Sequence, residues 1–498
     1  MLFFAAQAFP ASVDGFITAV SSTGFDIGGL HIGLATSARC EIGEVPANPL
    51  FYDKHHALGK PLYHPATTIS LPCAALHIGA GSPLHLEGIL QPDGRRFLAS
   101  RVMLYSIKQG GLLEGGALIE DEPSIQQNNG GWIGTVHADG YPLNVTPQTR
   151  MLAAPDDTTF IHSVHQHRLT IRAKINPASP ERAFSSSLLK PNTWVVYHAV
   201  DSGNGSNAAS QIRFWPNRAS VEETGYLEGF IAKISNDEVT KFPSSIQLRH
   251  GNAITILPNR SIQEWVSKVG MGLVPLYQKS LPDSDTTKIH FQFYVVRPFH
   301  APFASGLVDI NGVLPYSDGA GGFEYHNPAI FTQVKDVIAL PSGLVLIPDQ
   351  VLASLQNEAQ LAALLSCSVT SVLQKQAYLA KHHSNGFYFA ALWLRLNEQA
   401  LRIGIRQMYL AGYDIREAPF AWAVAQGKPV NNPVINSKDP DKEIPWYAAY
   451  AFNYISQYYK DVDYSKLKRG EAEYQEFLKK LYKADPTLKQ PKAQASKQ

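Results

Sequence analysis

The stretch IALPSGLVLIPDQVLASLQNEAQLAALLSCSVTSVLQKQ, residues 338–376, sets the reading of the C-terminal half of this chain. Its first part is apolar apart from Pro341-Ser342-Gly343. From Asp349 to about Lys381 the spacing is helical, and Asn357-Glu358-Ala359-Gln360-Leu361-Ala362 opens its regular part. Further helical patterns run over residues 386–411 and 445–482. Residues 366–371 read Ser-Cys-Ser-Val-Thr-Ser, all small or β-branched. Cys367 and Ser371, four apart, share a helix face with Leu364. The plain reading of that face is a seam of small residues packed against another helix.

The same residues resemble the heart of the HtpX- and Ste-type zinc metalloendopeptidases, gluzincins with an HExxH helix. In that family an Ala-Leu-Pro-Gly-Gly turn leads to Asn-Glu-Ala/Asp-Glu-Leu-Ala and then to His-Glu-x-x-His. Two His four apart lie on one helix face and bind one zinc ion, and the Glu takes a proton from the metal-bound water. Here Ala339-Leu340-Pro341-Ser342-Gly343 supplies the turn. Cys367 stands at the first zinc His, Ser368 at the general base and Ser371 at the second His. A serine hydroxyl is a poor zinc ligand at neutral pH and cannot replace the carboxylate base.

The segment LNEQALRIGIRQMYLAGYDIREAP, residues 396–419, matches the family's second helix through Ala400, Arg402, Gly404 and Ala411-Gly412-Tyr413-Asp414. Asn397 replaces the ligand Glu, and Leu401 replaces the Asp that orients the ligands. Glu398 is one position off, about 100° around the helix. The closing segment, residues 444–481, and the strand at residues 293–296 are also family-like. The resemblance implies a metallopeptidase-like domain over residues 226–484 with no catalytic, cofactor-binding or metal-binding residue, its degenerate positions being Cys367, Ser368, Ser371 and Asn397. Zinc enters only under the alternative, an active metalloendopeptidase with unconventional ligands; a purely structural envelope protein is a third possibility. A cleft that has lost its metal would suit a protein or peptide partner held as an added strand.

The first 220 or so residues read as short alternating strands separated by Gly, Pro, Asn and Asp. Two parts share an order. One starts at VDGFITAVSSTGFDI (residues 13–27), passes Thr36 and continues through LHIGAGSPLHLEG (residues 76–88) to ASRVMLYS. The other starts at GGWIGTVHADGYPLNV (residues 130–145), passes Thr149 and continues through LLKPNTWVVYHAV (residues 188–200) to SQIRFWPN. This pattern resembles the small OB-like β-barrel domain, of unknown function, found in exported bacterial proteins. The expected architecture is two all-β OB-like barrels, residues 11–108 and 128–222, followed by an α+β, mostly helical domain. OB-like barrels often bind oligonucleotides or sugars, but a protein-contact or structural role fits the neutral charge better.

That charge is +1, from 43 Lys and Arg against 42 Asp and Glu, with no basic excess for nucleic acid. Three cysteines fit neither a disulfide scaffold nor a Cys-rich zinc module. Cys40 and Cys73 could pair in an oxidising compartment, or remain separate thiols. The first residues, MLFFAAQAF, resemble the end of a signal peptide, with Ala6-Gln7-Ala8 at a cleavage-like site. Residues 1–10 are therefore expected as a truncated leader, and the location as periplasmic or secreted. No apolar run reaches the ~18 residues of a membrane-spanning helix. The Lys/Gln/Pro stretch at 485–498 is expected as a disordered tail.

Other candidates carry less. His162, His165 and His167 form an H-x-x-H-x-H cluster beside Asp156 and Asp157, expected as exposed histidines on a barrel edge. A metal site built from Cys367, His382 and His383 would lack a general base. His55, His56 and His64 have no ligand spacing, residues 317–322 (SDGAGG) lack the Lys of a phosphate loop, and no G-x-S-x-G occurs.

Overall fold

Runs of alternating apolar residues cut short by turn formers build strands throughout the first half of the chain. The computed structural model describes residues 9–27, 29–45, 67–107, 112–128, 130–155, 158–165, 168–174, 182–201, 205–248, 253–298, 316–317, 323–324, 337–383, 389–425, 434–435, 446–459 and 461–488. The strands are β1 (Phe9–Phe16), β2 (Ala19–Ser21), β3 (Gly24–Ile27), β4 (Leu30–Val45), β5 (Thr67–Leu71), β6 (Pro83–Leu90) and β7 (Arg96–Ile107). Next come β8 (Leu112–Leu118), β9 (Ser124–Asn128), β10 (Gly131–Ala138), β11 (Tyr141–Val145) and β12 (Arg150–Ala153). They are followed by β13 (Thr159–His165), β14 (Arg168–Lys174), β15 (Arg182–Ala183), β16 (Thr193–Asp201) and β17 (Asn207–Pro216).

Helices enter after residue 220. The chain runs through α1 (Val221–Glu228), β18 (Lys233–Asn236), β19 (Pro243–Gln247), β20 (Ile254–Thr255), α2 (Arg260–Leu273) and α3 (Leu276–Ser280). Strands β21 (Gln292–Val296), β22 (Tyr316–Ser317), β23 (Phe323–Glu324), β24 (Ile338–Ala339) and β25 (Leu344–Pro348) lead into α4 (Asp349–Ser354), α5 (Glu358–Leu373), α6 (Gln376–His383) and α7 (Phe389–Leu410). The last elements are α8 (Ala418–Ala425), β26 (Val434–Ile435), α9 (Trp446–Tyr458) and α10 (Glu471–Ala484). No helix of the described residues is long and apolar enough to cross a membrane.

These elements form two compact units. The first comprises Met1–Gly111, Asp201–Ser206 and Ala418–Tyr464; the second comprises Leu112–Val200, Asn207–Glu417 and Ser465–Gln498. In the first, the strand order is β2-β3-β4-β7-β6-β1-β26, with β5 added on β4. Its core gathers Val13, Phe25, Ile27, Ile32, Leu84, Leu86, Phe97 and Val102. Cys40 and Cys73 are joined by a disulfide, and α9 lies against β6 and β7.

The second unit holds a sheet of order β15-β12-β17-β11-β10-β9, with β16 pairing β17 and β8. The repeat seen in the sequence has a shared topology. In the first copy β4, which carries Thr36, runs parallel to β7, whose other neighbour is β6. In the second, β12, just after Thr149, runs parallel to β17, which also pairs with β16. The strand paths nevertheless stay open, so the two sheets are not closed barrels. The hairpin β13–β14, expected on a barrel edge, is a two-stranded sheet of its own.

The rest of the second unit is α+β. Strand β25 runs parallel to β21 and antiparallel to β24, over a core of Phe230, Ile246, Ile256, Val296, Leu340 and Leu346. Helix α2 forms where Ile262, Val266, Val269 and Leu273 recur at helical spacing, and all four are buried. Half-buried Trp265 stacks on Phe477 of α10 at 4.3 Å. The predicted helix from Asp349 to about Lys381 is three helices instead. It breaks before Asn357, which caps α5, and again at Lys375, whose φ is +54°. The predicted helix over 445–482 is likewise two, α9 and α10, in different units. Asp485, placed by its sequence at the head of the tail, is buried and paired with Arg297; residues 489–498 lie outside the described residues.

Candidate functional site

The turn that opens the family-like segment is held by local chemistry. Gly343 N–H donates to Leu340 O at 2.9 Å, and Leu340 N–H to Leu344 O at 2.8 Å. Gly343 has φ +91°, which favours glycine. The Ser342 hydroxyl donates to Phe230 O at 3.0 Å, so its role is to tie the turn down.

The next motif residues build a buried polar knot at the start of α5. Asn357 accepts the N–H of Gln360 at 2.9 Å, capping the helix. Glu417 receives Asn357 Nδ2 and Gln360 Nε2, each at 2.9 Å, and Arg469 Nε at 2.8 Å. Glu358 receives the Tyr413 hydroxyl and Lys468 Nζ, both at 2.7 Å. Burial, together with the Glu358 carboxylate, pushes the Tyr413 hydroxyl well above its ordinary range. Backbone bonds close the knot: Ala359 N–H to Arg469 O at 3.0 Å, and Asp414 N–H to Lys468 O at 2.9 Å. The Asn-Glu and Ala-Gly-Tyr-Asp motifs therefore meet in three dimensions, and their work is structural.

The four positions singled out by the resemblance, Cys367, Ser368, Ser371 and Asn397, sit further along α5 and on α7. Cys367 is 4% exposed. A Cβ added at Gly404 of α7 would lie 2.8 Å from Cys367 Sγ and 3.1 Å from Ser366 Oγ, so the two helices meet here at a glycine. Ser368 and Ser371 turn their hydroxyls onto their own helix, donating to Leu364 O and Cys367 O at 2.9 Å each. Ser366 does the same toward Ala363 O. Asn397 is half-buried on α7, and Glu398 and Leu401 beside it are fully buried. Among the described residues, no group of three His, Cys, Asp or Glu side chains is placed to hold a metal ion. The small-residue seam expected from the sequence is thus present between Cys367 and Gly404.

The histidine clusters are not part of this arrangement. His162 and His165 fall on β13, opposite Ile171 and Arg168, while His167 lies outside the described residues. His382 and His383 end α6, but their side chains are outside the described residues, as are His55, His56, His64 and residues 318–322.

Sequence reading missed a second polar cluster, where α7 meets the sheet of the second unit. Arg402 Nε donates to Asp139 O at 2.7 Å and its other end pairs with the Asp139 carboxylate. Tyr197 OH donates to Asp139 Oδ2 at 2.7 Å, and Gln399 Nε2 to Gly116 O at 3.0 Å. One helical turn on, Arg406 pairs with Asp121, which also contacts His137 Nδ1 at 3.1 Å. Glu120 Oε1 accepts the N–H of Gly140 at 2.6 Å. Burial pushes the Glu120 carboxyl up to about 7 against the opposing pull of Arg406 and the Gly140 N–H. The available signal was Arg402 and Arg406, four apart on a helix whose other residues are largely apolar. Their partners lie far away in the chain, so no local pattern announces them. No family model and no curated protein matches this chain.

Proposed function

We propose that this chain is a non-catalytic descendant of the HtpX- and Ste-type metallopeptidases, carried behind two regions of open β-sheet. We further propose that it works as a protein-binding or scaffold component of the bacterial cell envelope. One observation carries the reading. The motif residues of the scaffold, Asn357, Glu358 and Tyr413, hold a buried hydrogen-bond knot. The residues at the chemical positions are instead absorbed in packing: Cys367 lies against Gly404, and Ser368 and Ser371 bond their own helix. Selection that keeps a frame and releases its chemistry is what a binding role would leave behind. The Cys40–Cys73 disulfide supports an extracytoplasmic location, since such links persist in oxidising compartments.

The test is metal analysis of the purified chain beside a casein-cleavage assay. The proposal expects no stoichiometric zinc and no chelator-sensitive cleavage; finding both would establish an active enzyme with unconventional ligands instead. A variant carrying Cys367→His, Ser368→Glu, Ser371→His and Asn397→Glu asks the same of the frame. Zinc retained by that variant and not by the parent chain supports the descent. A folded variant with no zinc affinity counts against it.

A further inference from the structure

The charges around Glu120 are unequal in number. Three carboxylates, Glu120, Asp121 and Asp139, face two guanidiniums, Arg402 and Arg406 of α7, with the His137 ring of β10 beside Asp121. Asp139 is well satisfied by Arg402, by Tyr197 OH at 2.7 Å and by Gln399 Nε2 at 3.1 Å. Arg406 gives a hydrogen bond to Asp121. Its Nε lies 3.4 Å from Glu120 Oε2, and that oxygen makes no hydrogen bond. Glu120 is also faced by the Gly140 N–H and by Tyr277 of α3, while the Tyr141 ring lies 4.6 Å from the Arg402 guanidinium. The carboxylates thus outnumber the guanidiniums by one, and Glu120 is the buried one with an oxygen left over.

We propose that Glu120 is a proton-operated lock between α7 and the sheet of the second unit. With a proton on Oε2 the remaining two carboxylates and two guanidiniums balance, and α7 is held down. With the proton gone, a third negative charge is set against the same two cations and the junction loosens. The proton moves between Glu120 and solvent.

Burial favours the protonated form, lifting this carboxyl from 4.5 to about 7. The sign follows from linkage. The folded state binds the extra proton, so the contribution is complete below about 4.5 and is lost as the pH rises through about 7. A shift of that size corresponds to about 300-fold in the opening equilibrium. Asp121 is displaced the other way and acts below this window.

The experiment is hydrogen exchange of the α7 amides in the full chain from about pH 5 to about pH 8, corrected for intrinsic exchange. Wild type should show α7 opening that rises with pH, by about 70-fold over this range. Glu120→Gln should be nearly flat, and His137→Asn should keep the wild-type slope. An unchanged slope in Glu120→Gln overturns the lock, as does a slope abolished by His137→Asn. Should Glu120→Gln fail to fold, isotope-edited infrared spectroscopy of wild type reads the same proton directly. A protonated-carboxyl band that disappears as pH rises through about 7 supports the proposal, and absence of that band at about pH 5 ends it.

Discussion

Gly404 of α7 faces Cys367 of α5 so closely that a methyl group on the glycine would lie 2.8 Å from the sulfur. Under the proposed descent, the contact takes the place of the first zinc-binding histidine. An imidazole is larger than a thiol, so a His at 367 requires the helices to give way or the ring to turn aside.

Gly404→Ala should therefore destabilise, although alanine is the better helix former. Added volume in a packed seam costs about 1–3 kcal/mol, against less than about 1 kcal/mol gained in propensity. Chemical denaturation of the variant checks this. Cys367→Ala in the same background should recover part of the loss, because it removes the atom that the new methyl meets. Independent, additive effects would show that the two residues do not share this contact.

Glu417 is the acceptor on which Asn357, Gln360 and Arg469 converge. Glu417→Ala leaves buried donors on α5 without their partner and should cost about 3 kcal/mol. Glu417→Gln retains an acceptor oxygen and should cost less. Denaturant midpoints of the two variants, in that order, are the expected readout.

Cys40 and Cys73 are 33 residues apart in sequence, and their bond closes the loop between β4 and the turn after β5. Closing a loop of that length stabilises by about 3–4 kcal/mol in the chain-entropy view. Reduction should lower the melting temperature of the wild type and leave a Cys40→Ala, Cys73→Ala variant unchanged. Non-reducing mass analysis of alkylated protein verifies the bond itself.

Acid should act on Asp121. Burial pushes its carboxyl up, but the hydrogen bond from His137 and the charge of Arg406 pull it down further, and the net shift is downward. Its stabilising contribution is thus present above the ordinary aspartate value and is lost as the pH falls through its lower folded value. Asp121→Asn should flatten the acid limb of the stability curve below about pH 4. Thermal melts of both proteins across that range test it. An acid limb identical in the two would place the titrating group elsewhere.

Local features were legible from residue order alone. Ile262, Val266, Val269 and Leu273 announce α2 because helical periodicity puts them on one side whatever they pack against. The turn at Pro341-Ser342-Gly343 was marked by the resemblance, and Gly343 there takes a positive φ of +91°. The shared order of the two β regions was legible too, but the parallel pairing of β4 with β7 and of β12 with β17 was not. The seam of small residues on α5 could be read as a face, since four-residue spacing defines one.

Tertiary structure decided whatever depends on residues distant in the chain. Whether the sheets close is a matter of which edges find partners, and these paths remain open. The break at Lys375 interrupts a continuous helical pattern. At that break Lys375 pairs with Glu223 and neighbouring Gln374 accepts the N–H of Leu118, both remote in sequence. Asp139 and Arg402 are separated by 263 positions and yet share a buried ion pair. Charges in a sequence read as surface, because burying one is costly unless its partner is already in place. Only the folded chain supplies that partner.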